Sequence, residues 1–351
     1  MGKNKSVVAF TYALLAAVFY AINTPFSKVL LNVVPPTFMA SFLYLGAGLG
    51  VGIMYLFHFK KEEKTERLNR LDMPYTIGMV VLDILAPIFL MLGISIGSAS
   101  NASLLGNFEI VATTVIALLI FKEKVSKELW TAIAFITLSS IILSFEGSGS
   151  FQFSLGSLFV ILATTCWGLE NNCTRKISNK SSYEIVVIKG LCSGAGSFLI
   201  AFIKGEHVPE IKYVFLAMLL GFVAYGLSIF LYVRAQRDLG AAKTSAYYAV
   251  APFVGALLAF IINGESLTLM YFVALIFMVI GSSFVVYDTM VRHHIHRHVH
   301  TIVHTHDGYT HTHVITHEHQ HNHFARTEEH KHNHKDYINS EEHRLAHQKN
   351  S

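Results

Sequence analysis

Charged side chains are scarce in this chain before residue 290. Only 14% of the 351 residues are Asp, Glu, Lys or Arg, and 52% are hydrophobic. Soluble domains average about 25% charged residues. Long stretches between residues 7 and 290 carry almost no charge, whereas residues 292–351 are strongly polar. This distribution excludes a soluble globular protein and predicts an integral membrane protein with a polar tail.

Cysteine pairs and catalytic motifs are also lacking. Cys166, Cys173 and Cys192 form no CxxC pair, so we expect three apolar thiols rather than a disulfide framework. The chain contains no nucleophile-triad motif, phosphate-binding glycine loop or HExxH sequence. The net charge is +4, with positive residues at the edges of apolar stretches, which indicates no nucleic-acid partner. An enzyme is therefore not expected.

Ten apolar stretches are present instead, each about as long as a helix that crosses ~30 Å of hydrocarbon. They cover approximately residues 7–31, 37–59, 74–97, 99–121, 128–146, 154–174, 184–204, 213–233, 241–262 and 268–288. No alternating barrel strands of about 10 residues occur among them. Since backbone polar groups in lipid must be paired within the segment, we predict ten transmembrane helices.

Basic residues in the connections predict the orientation of these spans. Sixteen lysines and arginines lie in connections on the side of the N-terminus, and only Lys28, Lys204 and Lys212 lie in connections on the other side. Positive residues favour the cytoplasmic side, so both termini are predicted to be cytoplasmic. We expect a multi-pass protein of the cell membrane, and a bacterial inner membrane fits its length.

Two short patterns each occur twice in the chain. Asn23 aligns with Asn171, and Lys28 aligns with Lys176. The helix exit with Glu123 and Ser126 similarly aligns with the exit that holds Glu265 and Thr268, and each Ser or Thr could cap the following helix. Ten spans divide into five and five, so the second copy would enter the membrane inverted. The fold class predicted is all-α, with inverted five-helix repeats at 1–146 and 151–289 and a tail at 290–351.

These motifs resemble the drug/metabolite transporter superfamily, most closely its EamA-type members. The resemblance rests on Trp167-Gly168 with Lys176, on Ala251-Pro252, on the two helix-exit glutamates and on a weaker copy, Phe19 and Tyr20 with Lys28. It implies a secondary carrier of small metabolites that alternates access around a central cavity between the repeats. Ile110 stands where the second repeat has Pro252, so helix breaking is expected to be asymmetric.

Two carboxylates inside apolar spans are the sharpest site predictions, because ionisable groups are costly in a membrane. Glu109 lies beside Asn107 near the middle of the fourth span. It is predicted to bind an amine or carry a coupling proton. Asp83 lies four residues before Pro87, which leaves a backbone carbonyl unpaired in the third span. The alternative for Glu109 is a structural hydrogen bond to a neighbouring helix, and the alternative for Asp83 is a structural hydrogen bond to a Ser or Thr.

Further polar and aromatic residues are predicted to line the cavity. Asn23 and the pair Glu170 and Asn171 would approach it from opposite sides, or would form hydrogen bonds between helices. Trp167, Tyr247 and Tyr248 could stack on a planar or cationic substrate, or pack within the core. Lys189 would extend to the interface or pair with a carboxylate. Gly46 and Gly50 share a helix face suited to close packing.

The tail at 290–351 contains eighteen of the twenty histidines, often at alternate positions. Imidazole is a common ligand of Zn²⁺, Ni²⁺ and Cu²⁺. The predicted metal ligands are His294, His296, His298, His300, His311, His313, His317, His319, His321 and His323. The tail is expected to be disordered without metal. It would act as a metal store or sensor, as a pH-responsive polycation, or as an extension with little effect on transport.

The main hypothesis is a secondary transporter of an amino acid or related amine, with export as the expected direction and no cofactor required. The alternative is a metal-linked transporter, or a metal-responsive membrane protein, that uses the tail for Zn, Ni or Co. Only His58 and His207 occur among residues 7–290, both at span edges, so a direct metal path through the membrane is not expected.

Overall fold

The computed structural model describes residues 3–58, 67–122, 125–146, 152–177, 180–239, 244, 247–265, 268–306 and 309–324. The chain divides into two compact units, Met1–Tyr287 and Asp288–Ser351. Helices dominate the first unit, as the apolar stretches predict. The second unit contains a pair of strands.

The helices follow the predicted spans closely. They are α1 Lys3–Ala21, α2 Asn23–Leu30, α3 Pro36–His58, α4 Met73–Ile96, α5 Ala99–Leu105, α6 Phe108–Phe121, α7 Lys127–Leu143, α8 Leu155–Lys176, α9 Ser182–Ile203, α10 Ile211–Gly221, α11 Ser228–Leu239, α12 Ala251–Asn263 and α13 Leu269–Met290. A 3₁₀ turn, Arg70–Asp72, precedes α4, and a π-helical segment, Phe222–Leu227, joins α10 to α11. Two short strands, β1 Phe145–Glu146 and β2 Gln152–Phe153, pair between α7 and α8.

Seven helical stretches in the described part of the chain are long and apolar enough to cross a bilayer. They are Val7–Leu30, Pro36–Phe57, Arg70–Ile96, Ala99–Ile120, Ser182–Ile203, Ile211–Tyr232 and Leu269–Asp288. Helices α7 and α12 are shorter, with 17 and 13 residues. Helix α8 has 22 residues, but polar side chains such as Glu170 and Asn171 lower its hydropathy. A multi-pass helical protein is therefore evident.

Helix breaking is not asymmetric in the way the sequence predicted. The fourth span is interrupted at Gly106 and Asn107 although it has Ile110 in place of proline. There the hydrogen bonds shorten to a three-residue spacing, since the Asn107 amide donates to the Leu104 carbonyl at 3.1 Å. In the ninth span a turn at 249–250 precedes α12 and its Pro252. Glycine and asparagine thus interrupt one repeat and proline the other.

The predicted helix caps are confirmed in both repeats. The Ser126 hydroxyl accepts from the Leu129 amide at 3.0 Å at the start of α7. The Thr268 hydroxyl accepts from the Tyr271 amide at 3.2 Å at the start of α13. Each satisfies an amide that has no partner within its helix. Glu123, the first of the two helix-exit glutamates, lies outside the described residues.

Lys28 and Glu265 hold the junction between α4 and α5. The Lys28 ammonium donates to the Ile94 and Gly97 carbonyls at 2.7 Å each, at the C-terminal end of α4. The Glu265 carboxylate accepts from the Ala99 and Ser100 amides at 2.6 and 2.9 Å, at the N-terminus of α5. Each charge therefore complements the dipole of the helix end that it binds.

A similar cap fixes the start of α3. The Glu206 carboxylate accepts from the Thr37 and Phe38 amides at 3.2 and 3.1 Å and pairs with the Lys204 ammonium at 2.8 Å. Partial burial alone would raise the pKa of Glu206. The hydrogen bonds from Lys204, Thr37 and Phe38 outweigh burial and hold that pKa below its usual value.

Glycines on α3 permit close contact with the second half of the chain. Gly48 and Gly190 of α9 meet so closely that a Cβ on Gly190 would lie 2.4 Å from the Gly48 Cα. A Cβ on Gly46 would lie 2.0 Å from the Met218 carbonyl oxygen of α10, and one on Gly50 would overlap the Phe222 ring. The predicted close-packing face at Gly46 and Gly50 is confirmed, and it contacts α10 and the π segment.

The second unit differs from the predicted disorder. Its strands β3, Val291–His306, and β4, Tyr309–Phe324, pair antiparallel over their whole lengths. Histidine alternates with Val, Ile, Thr and other residues along both strands. A two-residue period with β-branched residues at alternate positions suits a strand, and the prediction of disorder took no account of this period.

Candidate functional site

An ion triad links three helices of the first unit. The Lys189 ammonium on α9 lies 3.2 Å from Asp83 Oδ2 on α4 and 3.1 Å from Glu170 Oε1 on α8. Asp83 and Glu170 are buried. Of the two predictions for Lys189, pairing with a carboxylate is the one that the structure contains. One ammonium between two carboxylates leaves the triad with a net negative charge when all three groups are ionised.

Hydrogen bonds extend the triad to a fourth helix. The Tyr44 hydroxyl of α3 donates to Asp83 Oδ1 at 3.0 Å, and the Trp167 indole donates to the Tyr44 oxygen at 3.4 Å. The Thr174 hydroxyl donates to Glu170 Oε1. Asp83 of α4 therefore contacts α3 through Tyr44 and α9 through Lys189, and α8 is connected to these two partners by Trp167 and Glu170.

Glu109 lies in a second polar cluster, between α6 and α8. The Asn171 amide donates to Glu109 Oε1 at 2.6 Å and to the Thr113 hydroxyl at 3.3 Å. Glu109 belongs to the first turn of α6, where the helix dipole favours a negative charge. No basic group of the described residues lies within ion-pair distance of its carboxylate.

The Trp167-Gly168 motif explains how these helices approach. A Cβ on Gly168 would lie 2.6 Å from the Ala112 Cβ and 2.8 Å from the Thr113 nitrogen. A glycine at this position lets α8 pack directly against the backbone of α6. That contact brings Asn171, one turn later on α8, within reach of Glu109.

The repeat counterpart Asn23 makes an analogous contact across the halves. Its amide donates to the Tyr225 hydroxyl of the π segment at 3.1 Å, and its oxygen accepts from the Ser27 hydroxyl at 3.1 Å. The Tyr225 ring packs against Tyr44, with centroids 5.3 Å apart. Aromatic packing thus connects the Asn23 contact to the triad.

The two tyrosines predicted to stack on substrate occupy different surroundings. Tyr248 contacts the Tyr20 ring at 5.8 Å between centroids, and its hydroxyl lies 3.2 Å from the Ser228 oxygen. Tyr247 packs edge-on against Phe10 of α1, with centroids 4.8 Å apart. Tyr248 therefore joins the aromatic group around Tyr20, whereas Tyr247 contacts the same helix ten residues earlier, at Phe10.

Asn107 stands at the interruption of the fourth span. It is 3% exposed, and its amide nitrogen has no hydrogen-bond partner among the described residues. The Ser103 hydroxyl, one turn earlier, is also buried and has no hydrogen-bond partner among the residues that the structure describes. Unpaired buried polar groups are costly, and a bound polar molecule would satisfy them.

A small cleft, with a volume of about 20 Å³, lies between α3, α9 and α11. Its lining includes Val186, Phe230 and Arg234. Val186 lies one turn before Lys189 on α9, so the wall of the cleft is one helical turn from the triad. The Arg234 guanidinium stands over the Phe230 ring at 5.3 Å. This arrangement places a basic group at a cleft between the two halves.

Sequence reasoning missed Tyr44, Tyr225 and Thr113 as members of this network. Each is a hydroxyl-bearing residue within an apolar stretch, a signal too common to single out one position. The predicted metal ligands belong to the second unit, where the structure describes the backbone of β3 and β4. Among residues whose side chains are described, no group of three or more His, Cys, Asp or Glu could hold a metal ion.

Comparisons with known proteins agree with this architecture. The chain is 26% identical over 290 residues to an uncharacterized transporter of Methanothermobacter thermautotrophicus, covering 76% of this chain and 82% of the relative. An uncharacterized transporter of Clostridium kluyveri is 22% identical over 290 residues, with coverages of 78% and 91%. A crystal structure of 14% identity shares the fold, with a TM-score of 0.58 over 81% of this chain and 96% of the other.

The EamA-like transporter family model matches twice, at residues 8–145 and 154–287. The two matches fall on the two halves predicted from the repeated motifs. Together they cover nearly all of the helical unit, and the helices support multiple membrane crossings. The chain therefore belongs to the EamA-like transporter family and is a multi-pass membrane transporter rather than an enzyme.

Proposed function

We propose that this protein is a secondary transporter of a small metabolite with a protonated amine, such as an amino acid or related amine. Its ten spans would form inverted repeats at 1–146 and 151–289, with both termini cytoplasmic. Access to the central site would alternate between the two sides as the repeats move against each other. Export is the proposed direction, and no cofactor is required.

The observation that carries the proposal is the excess of carboxylates in the buried network. Asp83, Glu170 and Glu109 are three acids, and Lys189 is the one basic group paired with any of them in the described part. Opposite charges attract strongly where water is excluded. A substrate ammonium would supply the missing positive charge, whereas an anionic substrate would be repelled.

Glu109 is the proposed amine-binding group, because its carboxylate has an amide donor but no cation as partner among the described residues. Asn107 would bind a second polar group of the substrate through its unpaired amide nitrogen. Asn23, Asn171, Trp167 and Tyr248 would form the surrounding wall. Asp83 and Glu170 would take part in coupling. Both carboxylates pair with Lys189, and a change in this pairing can accompany rearrangement of α4, α8 and α9.

Transport by proteoliposomes tests this assignment. Purified protein would be assayed for counterflow of labelled amino acids and amines, with Zn²⁺ and Ni²⁺ in the same panel. We expect Glu109→Gln to slow amine transport by about tenfold or more, because a charge-assisted contact contributes about 1.5–3 kcal/mol. Glu210→Gln is the matched control, since Glu210 is exposed and pairs with Lys212.

Parent-like transport of every accepted amine by Glu109→Gln across pH would remove Glu109 from the site. Metal-linked transport is the second candidate function, and one observation favours it: the strand register of the tail gathers histidines on one face. Uptake of Zn²⁺ or Ni²⁺ in place of amines in the vesicle panel would favour that candidate.

A further inference from the structure

The register of β3 and β4 sorts the tail histidines onto one face. Every even-numbered residue of β3 pairs with an odd-numbered residue of β4, beginning with Arg292 opposite His323. Directly paired residues share a face of the ribbon, and so do alternate residues along a strand. Twelve histidines fall on this face, namely His294, His296, His298, His300, His304, His306, His311, His313, His317, His319, His321 and His323.

The opposite face has a different composition. In the two strands it contains His293 as its one histidine, together with Val, Ile, Thr and single residues of other types. The two faces therefore differ sharply, although the tail as a whole is rich in histidine. We call the first of them the histidine face.

The sequence itself shows a change of phase that this register requires. Histidines take even positions in 294–306 and odd positions in 311–323. In an antiparallel pair with this register, even positions oppose odd ones, so the change keeps both sets on one face. A disordered histidine-rich segment would need no such change at the turn. The pattern therefore fits a paired array with its histidines on one face.

Three successive pairs consist of histidine alone. They are His294 with His321, His296 with His319, and His298 with His317. Opposed residues on a face are about 4.5–5.5 Å apart at Cβ, and the next pair along the strand lies about 7 Å away. Two neighbouring pairs contain four histidines, and Zn²⁺ takes four ligands.

We propose that the histidine face is a binding site for divalent transition-metal ions, centred on these three histidine pairs. Two adjacent pairs contain four histidines, and neutral imidazole is a ligand that suits Zn²⁺. Binding depends on the pairing of the two strands and not only on the number of histidines. The site lies in the second unit and is independent of the amine site proposed for the helices.

Exchange of neighbouring residues provides a test that keeps the composition constant. In the first variant each histidine of β3 trades places with the following residue, giving His294→Ile, Ile295→His, His296→Arg, Arg297→His, His298→Val and Val299→His. The three histidines then lie on the other face, opposite Gln320, Glu318 and Thr316. We expect at least a tenfold weaker affinity for Zn²⁺ in the purified full-length protein, measured by competition with a zinc-binding dye.

A second variant adds the matching exchanges in β4, namely Thr316→His, His317→Thr, Glu318→His, His319→Glu, Gln320→His and His321→Gln. All six histidines are then paired again, on the opposite face, and the affinity should return to within about threefold of the parent. Recovery in this variant would also show that the first exchange had not simply unfolded the tail.

Equal Zn²⁺ affinity in all three proteins would overturn the proposal, because histidine number alone would then govern binding. Loss in the first variant without recovery in the second would overturn it as well. Amine transport by the helical unit is expected to be the same in all three proteins, so this outcome is separate from that of the Glu109 test.

Discussion

At the scale of single residues, Lys189 determines the charge balance of the site. Burying two carboxylates without a cation in a membrane core is costly. The Lys189 ammonium offsets that cost by contacting both Asp83 and Glu170. Removing one member of such a triad leaves the charges of the others buried without compensation. That loss destabilises a protein more than replacing the whole triad with apolar residues would.

We expect Lys189→Met to destabilise the protein by about 3 kcal/mol or more, in line with other broken buried ion pairs. The apparent melting temperature in detergent should fall by several degrees. Adding Asp83→Asn to that variant should recover part of the loss, because one of the two opposed carboxylates is then neutral. Thermal unfolding of the purified proteins would measure both effects.

Lys212→Met is the matched control, since Lys212 is largely exposed and pairs with the exposed Glu210. Exposed pairs contribute about 0–1 kcal/mol, so its melting temperature should stay close to that of the parent. If Lys189→Met melts like Lys212→Met, the triad does not hold α4, α8 and α9 together.

At the scale of helices, glycines of α3 set the distance between the two halves. Gly46 and Gly50 face α10 and the π segment, and Gly48 faces α9. Gly52, one turn after Gly48, has its nearest neighbouring atom, Val187 Cγ2, 3.9 Å from where a Cβ would stand. Helix α3 therefore contains three glycines that pack closely against neighbouring segments and one, Gly52, that does not.

Gly46→Ala is expected to be destabilising, because the added Cβ would lie 2.0 Å from the Met218 carbonyl oxygen and α10 would have to move. Gly52→Ala should instead stabilise α3 by up to about 1 kcal/mol, since alanine is the better helix former and its Cβ would make only an ordinary van der Waals contact with Val187. Melting temperatures of the two variants should therefore shift in opposite directions. Equal shifts would mean that helix propensity, not contact, governs both positions.

The helices and their caps could be predicted from sequence, because they depend on local signals. Apolar length located the spans, and the repeated helix exits located Ser126 and Thr268 as caps. The interruption at Gly106 was missed because proline was taken as the signal for a break. The sequence places Lys28 in a repeated motif and in a connection between spans, but it does not predict that Lys28 binds carbonyls at the end of α4, which are remote in sequence.

The acids of the candidate site could be predicted from the sequence, but the residues that they contact could not. Glu109 and Asp83 stand out because charge is rare in apolar spans. Their partners Asn171 and Lys189 lie on other helices, and helix packing that sequence spacing does not encode decides which groups meet. Tyr44 gave no signal, since a tyrosine in an apolar span is ordinary. In the tail, alternation was noticed but its consequence for strand pairing was not.

At the scale of the whole molecule, residues of both halves form one network of hydrogen bonds and ion pairs. Asn23 from the first half bonds to Tyr225 in the second, and Asp83 from the first pairs with Lys189 in the second. Motion of one half against the other must therefore rearrange these contacts. This is the relation between structure and alternating access that the proposed inverted repeat would imply.

That relation requires α7 and α8 to cross the membrane, although neither is among the seven clearly apolar helical stretches. The proposed ten crossings put Ser148, in the sequence between these helices, on the opposite side from Leu71, which precedes α4. If α7 and α8 did not cross, both residues would lie on the same side. Single cysteines at these two positions would distinguish the arrangements, in a protein whose Cys166, Cys173 and Cys192 have been replaced by alanine.

We expect Ser148→Cys to react with a membrane-impermeant maleimide in intact cells and Leu71→Cys to react only after permeabilisation. The cysteine-free parent is the control for background labelling, and its elution as a single species would establish that it folds. The bias of basic residues toward the side of the N-terminus predicts this result, because positive connections stay cytoplasmic. Labelling of both cysteines under the same condition would contradict the ten-span arrangement and, with it, the inversion of the second repeat.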